Sequence, residues 1–361
     1  MAVTLADVAA RAGVSAATVS RVLNGNYPVA GSTRERVLRA VDDLDYVVNG
    51  HARALAAATS DLVGVLVNDV ADPFFGLISS AVQSEISGVG EAPGAGGGKL
   101  AVVCNTGGSP EAELNYLTLL ERQRAAGVVL TGGAVEGTEH THAVAGRLAR
   151  LAASGTRIVL CGRPPLEALP GVDDSLIMTV AFDNRGGAQR LTEHLLSLGH
   201  RRIGYVAGPA ERTTTRHRLE GHRAALAAAG LDSGAEHLTV YGYYDRSSGY
   251  DAALELLRRD PRLTAVVAAN DTVALGVCAA LRDQGLSVPG DVSVAGFDDL
   301  PFSVDAVPAL TTVRIPLHEA GARAGRLVMG RQAPPPGGVA TIRTELMARA
   351  STAAPAAGRL G

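Results

Sequence analysis

Within GVSAATVSRVLN, residues 13–24, the side chains of Ser15, Thr18, Ser20 and Asn24 offer neutral hydrogen-bonding groups, and Arg21 offers the one charged fork. Short hydroxyls and amides suit phosphate oxygens, and a guanidinium can hold the O6 and N7 edge of guanine with two bonds. The same residues also describe a plain amphipathic surface helix, and spacing alone gives the two readings equal weight. A second group, Asp72-Pro73-Phe74-Phe75, follows the apolar run at 62–67. Rings just after a strand usually pack into a core, so at least one of these is read as packing on pattern alone. Further on stand Arg163, then Arg212, Thr214 and Arg218 within GPAERTTTRHRLEGH, then Tyr244 and Asp271. An isolated Arg or Asp is more often a solvated surface residue, but a shared location at strand ends is where α/β proteins bind ligands.

Enzymatic chemistry finds little support. No GxGxxG follows the first apolar run, Gly132-Gly133-Ala134-Val135-Glu136-Gly137 has the wrong spacing for one, and neither GKS nor GKT occurs. His140-Thr141-His142 has no third ligand nearby and reads as a solvated turn, while His194 and His200 flank a helix end and read as structural or surface residues. Cys104, Cys161 and Cys278 are too widely spaced for a zinc site or a disulfide framework, which fits a reducing cytoplasm. The start MAVTLADVAARAG lacks the basic and apolar regions of an export signal, and no window reaches the roughly 18 apolar residues of a membrane span. The expectation is a cytoplasmic protein with no catalytic site, cofactor, metal or membrane partner.

The elements that must position these residues are of two kinds. At 361 residues the chain exceeds a single core, which usually stops growing near about 250 residues. Its net charge is −3, yet the first forty residues carry five arginines against Asp7 and Glu35, a balance of +3. Leu5, Val8, Ala9 and Ala12 recur at helical spacing, Gly13 interrupts, and Ser15 is placed to cap a second helix buried through Val19, Val22 and Leu23. Val37, Leu38, Val41 and Leu44 mark a third helix, with Ser32 and Glu35 spaced as a capping box. Three short helices with a tight glycine turn predict a helix-turn-helix domain. From residue 62 the pattern changes to short apolar runs between amphipathic stretches: 62–67, 100–104, 127–131 and 157–161, then a second series at 178–183, 202–208, 264–270 and 291–299. Strands alternating with helices predict parallel sheets, and two series predict two doubly wound subdomains. The Gly-rich segment 87–98 and the small-residue tail 351–361 read as a loop and a frayed end.

TLADVAARAGVSAATVSRVLNG with TRERVLRAVDDLDYVVN resembles the N-terminal domain of the LacI/GalR family of transcriptional regulators, almost without gaps over residues 4–55. LVGVLVNDVADPFF, LTEHLLSLGHRRIGYVAGP, ANDTVALG, VAGFDD and PALTTVRIP resemble it in order and spacing, so the likeness spans nearly the whole chain. It implies a small all-α helix-turn-helix domain over 1–47, a hinge helix and linker over 48–60, and a core over 61–361. That core has two periplasmic-binding-protein-like (type I) subdomains of doubly wound parallel sheet, one of 61–170 with a return near 300–330, the other of 171–297 with 335–350. It implies base contacts from Ala16, Ala17 and Arg21 and phosphate contacts from Thr4, Ser15, Thr18, Ser20 and Asn24. It further implies a hinge, with Asn49, Ala52 and Leu55, that folds on DNA, Leu55 wedging into a central CG step of a pseudo-palindrome read by a dimer.

Three departures stand out: Val48 where the family usually has Pro, Gly50 inside the hinge, and Ala30 where a Ser cap is common, for which Ser32 is placed to substitute. In the core the resemblance implies effector contacts from Asp72, Phe74, Phe75, Arg163, Arg218, Tyr244 and Asp271. Arg212 and Thr214 match effector positions of the purine branch. Carboxylates, guanidiniums and rings together suit a sugar or sugar derivative, with a nucleobase or nucleoside as the second reading. The implied protein is a repressor acting as a homodimer, because the tail lacks the Leu heptads of a tetramerising coil. A ligand-binding protein or Rossmann-like enzyme without DNA binding is the alternative.

Overall fold

A computed structural model describes residues 3–24, 28–46, 60–87, 99–166, 171, 173–231 and 234–356. The chain divides into two compact units, Met1–Ser60 and Asp61–Gly361. Asn49, Ala52 and Leu55 of the expected hinge lie outside the described residues, as does the side chain of Asn24.

In the first unit, helix α1 (Leu5–Ala12) starts at Thr4, whose hydroxyl accepts from the Asp7 amide while the Asp7 carboxylate accepts from the Thr4 amide. Gly13 ends α1 in the left-handed conformation at φ 65°. Ser15 then caps α2 (Ala16–Asn24), accepting from the Thr18 amide at 3.2 Å. Helix α3 (Gly31–Asp43) completes the unit, and Val8, Ala12, Val19, Val22 and Val37 meet in its core. The start of α3 differs from expectation. Ala30 is the N-cap and makes no side-chain bond, while Ser32 lies inside the first turn, where its helical backbone unsuits it as a cap.

In the second unit, β1 (Leu62–Val67), β2 (Leu100–Asn105), β3 (Gly127–Thr131), β4 (Arg157–Cys161), β5 (Ile177–Phe182) and β11 (Val339–Ile342) form one sheet. Its order is β11-β5-β4-β3-β1-β2 and every pairing is parallel. The central β3 is buried throughout, as its unbroken GVVLT run requires, whereas the edge strand β2 alternates and exposes Leu100 and Val102. A second parallel sheet has the order β7-β6-β8-β9, from β6 (Ile203–Ala207), β7 (Thr239–Tyr241), β8 (Ala265–Ala268) and β9 (Ser293–Ala295). Two further strands, β10 (Thr312–Arg314) and β12 (Glu345–Met347), pair antiparallel.

The connecting helices are α4 (Pro73–Ser87), α5 (Pro110–Arg122), α6 (Thr138–Ala153), α7 (Asn184–Ser197), α8 (Thr213–Ala228), α9 (Arg246–Arg259), α10 (Asp271–Asp283), α11 (Phe302–Asp305) and α12 (Leu317–Val328). The C-terminal return through α12 packs on α4 of the first subdomain.

The boundary between subdomains falls later than residue 170. The 178–183 run begins no second series: β5 pairs with β4 through Ile158↔Ile177 to Cys161↔Val180, covering what would otherwise be an apolar sheet edge. The segment 335–350 is likewise divided, since β11 joins the first sheet beside β5 and β12 pairs with β10.

Candidate functional site

Helix α2 buries Val19 and Val22 and turns Ala16, Ala17 and Arg21 outward. Ser15 and Thr18 join hydroxyls at 2.9 Å, and Thr4 donates its hydroxyl to Asp7 at 2.7 Å. The outward face is therefore short, neutral and hydrogen-bonding apart from Arg21, a shape that fits a major groove.

In the second unit, the carboxyl ends of both parallel sheets open onto a cleft of about 500 Å³. Asp72, Phe74, Phe75, Arg212, Thr214, Arg218 and Tyr244 all line it, so seven of the nine anticipated residues converge there. Arg218 is the best-held of them. Its Nε donates to Asn184 Oδ1 at 2.8 Å, one terminal nitrogen to the Ala269 carbonyl at 2.6 Å and the other to Asp298 Oδ1 at 2.7 Å. The guanidinium also lies 3.7 Å over the Phe297 ring. Burial pushes the Asp298 carboxyl up to about 7; Arg218 opposes the shift, and Asp271 and Asp72 add to it. Asp298 holds φ 107°, a backbone conformation that a non-glycine residue keeps only where its surroundings enforce it. The Asp72 carboxyl is also raised, chiefly by burial.

Phe74 meets Phe75 edge-on at 5.0 Å and Phe182 at 6.3 Å, so the apolar wall is a cluster rather than one ring. Glycine makes room for it: a Cβ on Gly132 (φ 73°) or Gly162 (φ 84°) would come within 2.8 Å of Phe75 or Phe182 respectively. Tyr244 bonds Thr215 through its hydroxyl at 2.6 Å.

Two anticipated residues lie elsewhere. Asp271 is buried below the cleft, accepting from the Leu300 amide at 2.7 Å, Ser303 at 2.8 Å and Thr312 at 2.5 Å. Its neighbours Asn270 and Thr272 line the cleft instead, because the turn into α10 points Asp271 the other way. Arg163 also misses the cleft. After the left-handed turn at Gly162 it forms a bidentate pair with Glu113 at 3.0 and 2.6 Å, both side chains being 5% exposed. His140, expected in a solvated turn, stands in the first turn of α6 close to that pair. Among the cleft residues that the sequence did not single out are Phe182, Asn184, Asn270 and Asp298. Asp298 lies within VAGFDD, and Asn184 follows β5, which belongs to the first sheet rather than the second.

One end of the cleft is closed by a strap joining the subdomains. Val135 bridges Arg212 antiparallel, the Glu136 amide donates to the Glu211 carbonyl at 2.6 Å, and Arg216 pairs with Glu136 at 2.8 Å. Arg212 itself donates to the carbonyls of Gly108 at 2.5 Å and Gly133 at 3.3 Å.

Residues 4–49 match the bacterial regulatory proteins of the lacI family, and residues 192–352 match the periplasmic binding protein-like domain. The chain is 36% identical over 326 residues to the HTH-type transcriptional regulator GalR of Escherichia coli (strain K12), covering 90% of this chain and 88% of that one. Among solved structures it is similar to a transcriptional regulator CelR–cellobiose complex, at 34% identity and TM-score 0.66, covering 97% and 99% of the two chains. It is also similar to the lac repressor dimer bound to operator and the anti-inducer ONPF, at 27% identity and TM-score 0.74, covering 98% and 100%. Identity of that extent, carried by a helix-turn-helix unit and a two-sheet core together, makes this chain a member of the lacI family: a DNA-binding transcriptional regulator rather than an enzyme.

Proposed function

We propose that the protein is a cytoplasmic, homodimeric repressor whose grip on a pseudo-palindromic operator is set by a sugar or sugar derivative bound in the cleft. On this reading Ala16, Ala17 and Arg21 face bases, Thr4, Ser15, Thr18, Ser20 and Asn24 hold phosphates, and Asn49, Ala52 and Leu55 enter the minor groove at a central CG step. The edge strand β2, with Leu100 and Val102 exposed, offers apolar surface for a second copy. Closing two subdomains on a ligand shifts one against the other, which in a dimer alters the spacing of the paired hinges.

The observation that carries the ligand reading is the Arg218 cluster: a buried guanidinium held by Asn184 and Asp298, with Asp72 across the cleft and a wall of phenylalanine rings. Carboxylates and amides match sugar hydroxyls, and rings match the C–H face of a pyranose. The cellobiose bound by the CelR relative supports the same class. A nucleobase is less well supported, because Arg212, a position on which that likeness rests, is tied to the Gly108 and Gly133 carbonyls.

Calorimetry against cellobiose, galactose and a set of nucleosides tests the class. Arg218→Met, its fold verified by circular dichroism, is expected to weaken sugar binding roughly 10- to 100-fold, the loss of charge-assisted hydrogen bonds. Unchanged affinity would remove the reading, and tighter binding of a nucleoside than of any sugar would replace it.

A further inference from the structure

A cavity of about 510 Å³ lies on the far side of the strap and shares no lining residue with the effector cleft. Its accessible apolar walls come from Val135, Ala145, Pro164 and Leu166, a lining that suits the body of a small organic molecule. Its polar end is built from buried nitrogens, of which Arg163 Nε is a fixed donor and His140 Nε2 a donor in its Nε2–H tautomer or when protonated. Arg163 lines the cavity and is 5% exposed, and although its terminal nitrogens bind Glu113, its Nε is buried without a hydrogen-bond partner. His140 Nε2 is likewise buried and unpartnered, 3.7 Å from Glu113 Oε1 and so beyond hydrogen-bond reach. Helix α6 begins beside them with Gly137 as its N-cap, which supplies no side-chain acceptor for the first-turn amides.

A buried donor without an acceptor is costly, and here such donors meet in one cavity. The carboxylates that line the cavity are already matched, Glu113 by Arg163 and Glu136 by Arg216. The feature the cavity lacks is an acceptor facing Arg163 Nε, His140 and the α6 terminus, a position where the helix dipole also favours negative charge.

We propose that this cavity is a second ligand site, separate from the effector cleft, and that it takes a small organic carboxylate whose apolar part lies along Val135, Ala145 and Leu166. Because Thr213 and Arg216 of the second subdomain complete a wall otherwise built by the first, a molecule bound there touches both subdomains.

Saturation-transfer NMR on the full-length protein with benzoate, phenylacetate and octanoate, each beside its neutral amide, tests the site. At least one carboxylate is expected to take up saturation and to bind roughly tenfold more tightly than its amide. Ala145→Phe fills the cavity and is expected to abolish the effect, while His140→Leu removes a donor without breaking an ion pair and is expected to weaken binding severalfold. Arg163 is left intact, since its loss would strand Glu113. No transfer from any of the three carboxylates, equal binding of acid and amide, or undiminished transfer in both variants overturns the proposal.

Discussion

Arg21 is the only charged side chain between residues 13 and 24, and Ala16 and Ala17 beside it can offer a base only methyl contact. On the proposed reading, direct readout by α2 is concentrated in one residue. Arg21→Ala is expected to cost about 1–3 kcal/mol and to relax specificity at one position per half-site. A binding-site selection that returns the same operators for this variant would show that specificity lies elsewhere.

Asp271 carries part of the proton linkage of the core's buried carboxylates. Burial raises its carboxyl to about 6, against the lowering effect of its three hydrogen bonds. Between the ordinary carboxylate value and about 6 the folded protein keeps a proton that the unfolded chain has lost, so this group's contribution declines as pH rises through that window. Asp271→Asn, which the Thr312 hydroxyl can satisfy by reversing its role, is expected to flatten the pH dependence of the urea midpoint between about pH 4 and 6. An undiminished slope would refute that source. Sequence placed Asp271 and Arg163 within one residue of the cleft. Which way each side chain turns depended on the α10 start and on Gly162, and neither direction follows from residue type.

At the scale of elements, caps and strands were legible to different degrees. The cap at Ser15 depends on a residue three positions on, and the strands of the first sheet appear as apolar runs, whereas the box at Thr4 and Asp7 was not anticipated. Sheet membership does not appear in that way. β5 looks alike whether it pairs with β4 or with β6, and the partner is set by contacts distant in sequence. The three-residue β7 is too short to show a period at all. For α3 the residue at the cap position decided the outcome, since Ala30 offers the first turn no acceptor. Ala30→Ser is expected to stabilise the first unit by about 0.5–2 kcal/mol, read as slower hydrogen exchange in α3 of the full chain. Exchange no slower than in the wild type would show that the turn is already satisfied by other means.

For the whole molecule, the two-lobed core and its attached reader were foreseeable from alternating patterns, whereas the close contact between the subdomains at Gly133 and Thr214 was not. A Cβ on Gly133 would lie 3.1 Å from both the Cβ and the backbone nitrogen of Thr214, so this approach of the two subdomains requires glycine there. Gly133→Ala is expected to favour opening, lowering the apparent affinity for the cleft ligand by up to about tenfold and enlarging the radius of gyration in small-angle scattering. Unchanged affinity together with unchanged dimensions would show that the strap yields without opening the core.

The strap also has two faces. Gly133, Arg212 and Thr214 look onto one pocket, while Ala134, Thr213 and Arg216 look onto the other. The partition is one residue thick, a party wall whose displacement by a tenant on either side is felt at once by the other. A ligand on one side that alters affinity on the other must have its own affinity altered by the same factor. In a screen for altered ligand response, substitutions on the far face of this wall should arise beside those that touch the ligand.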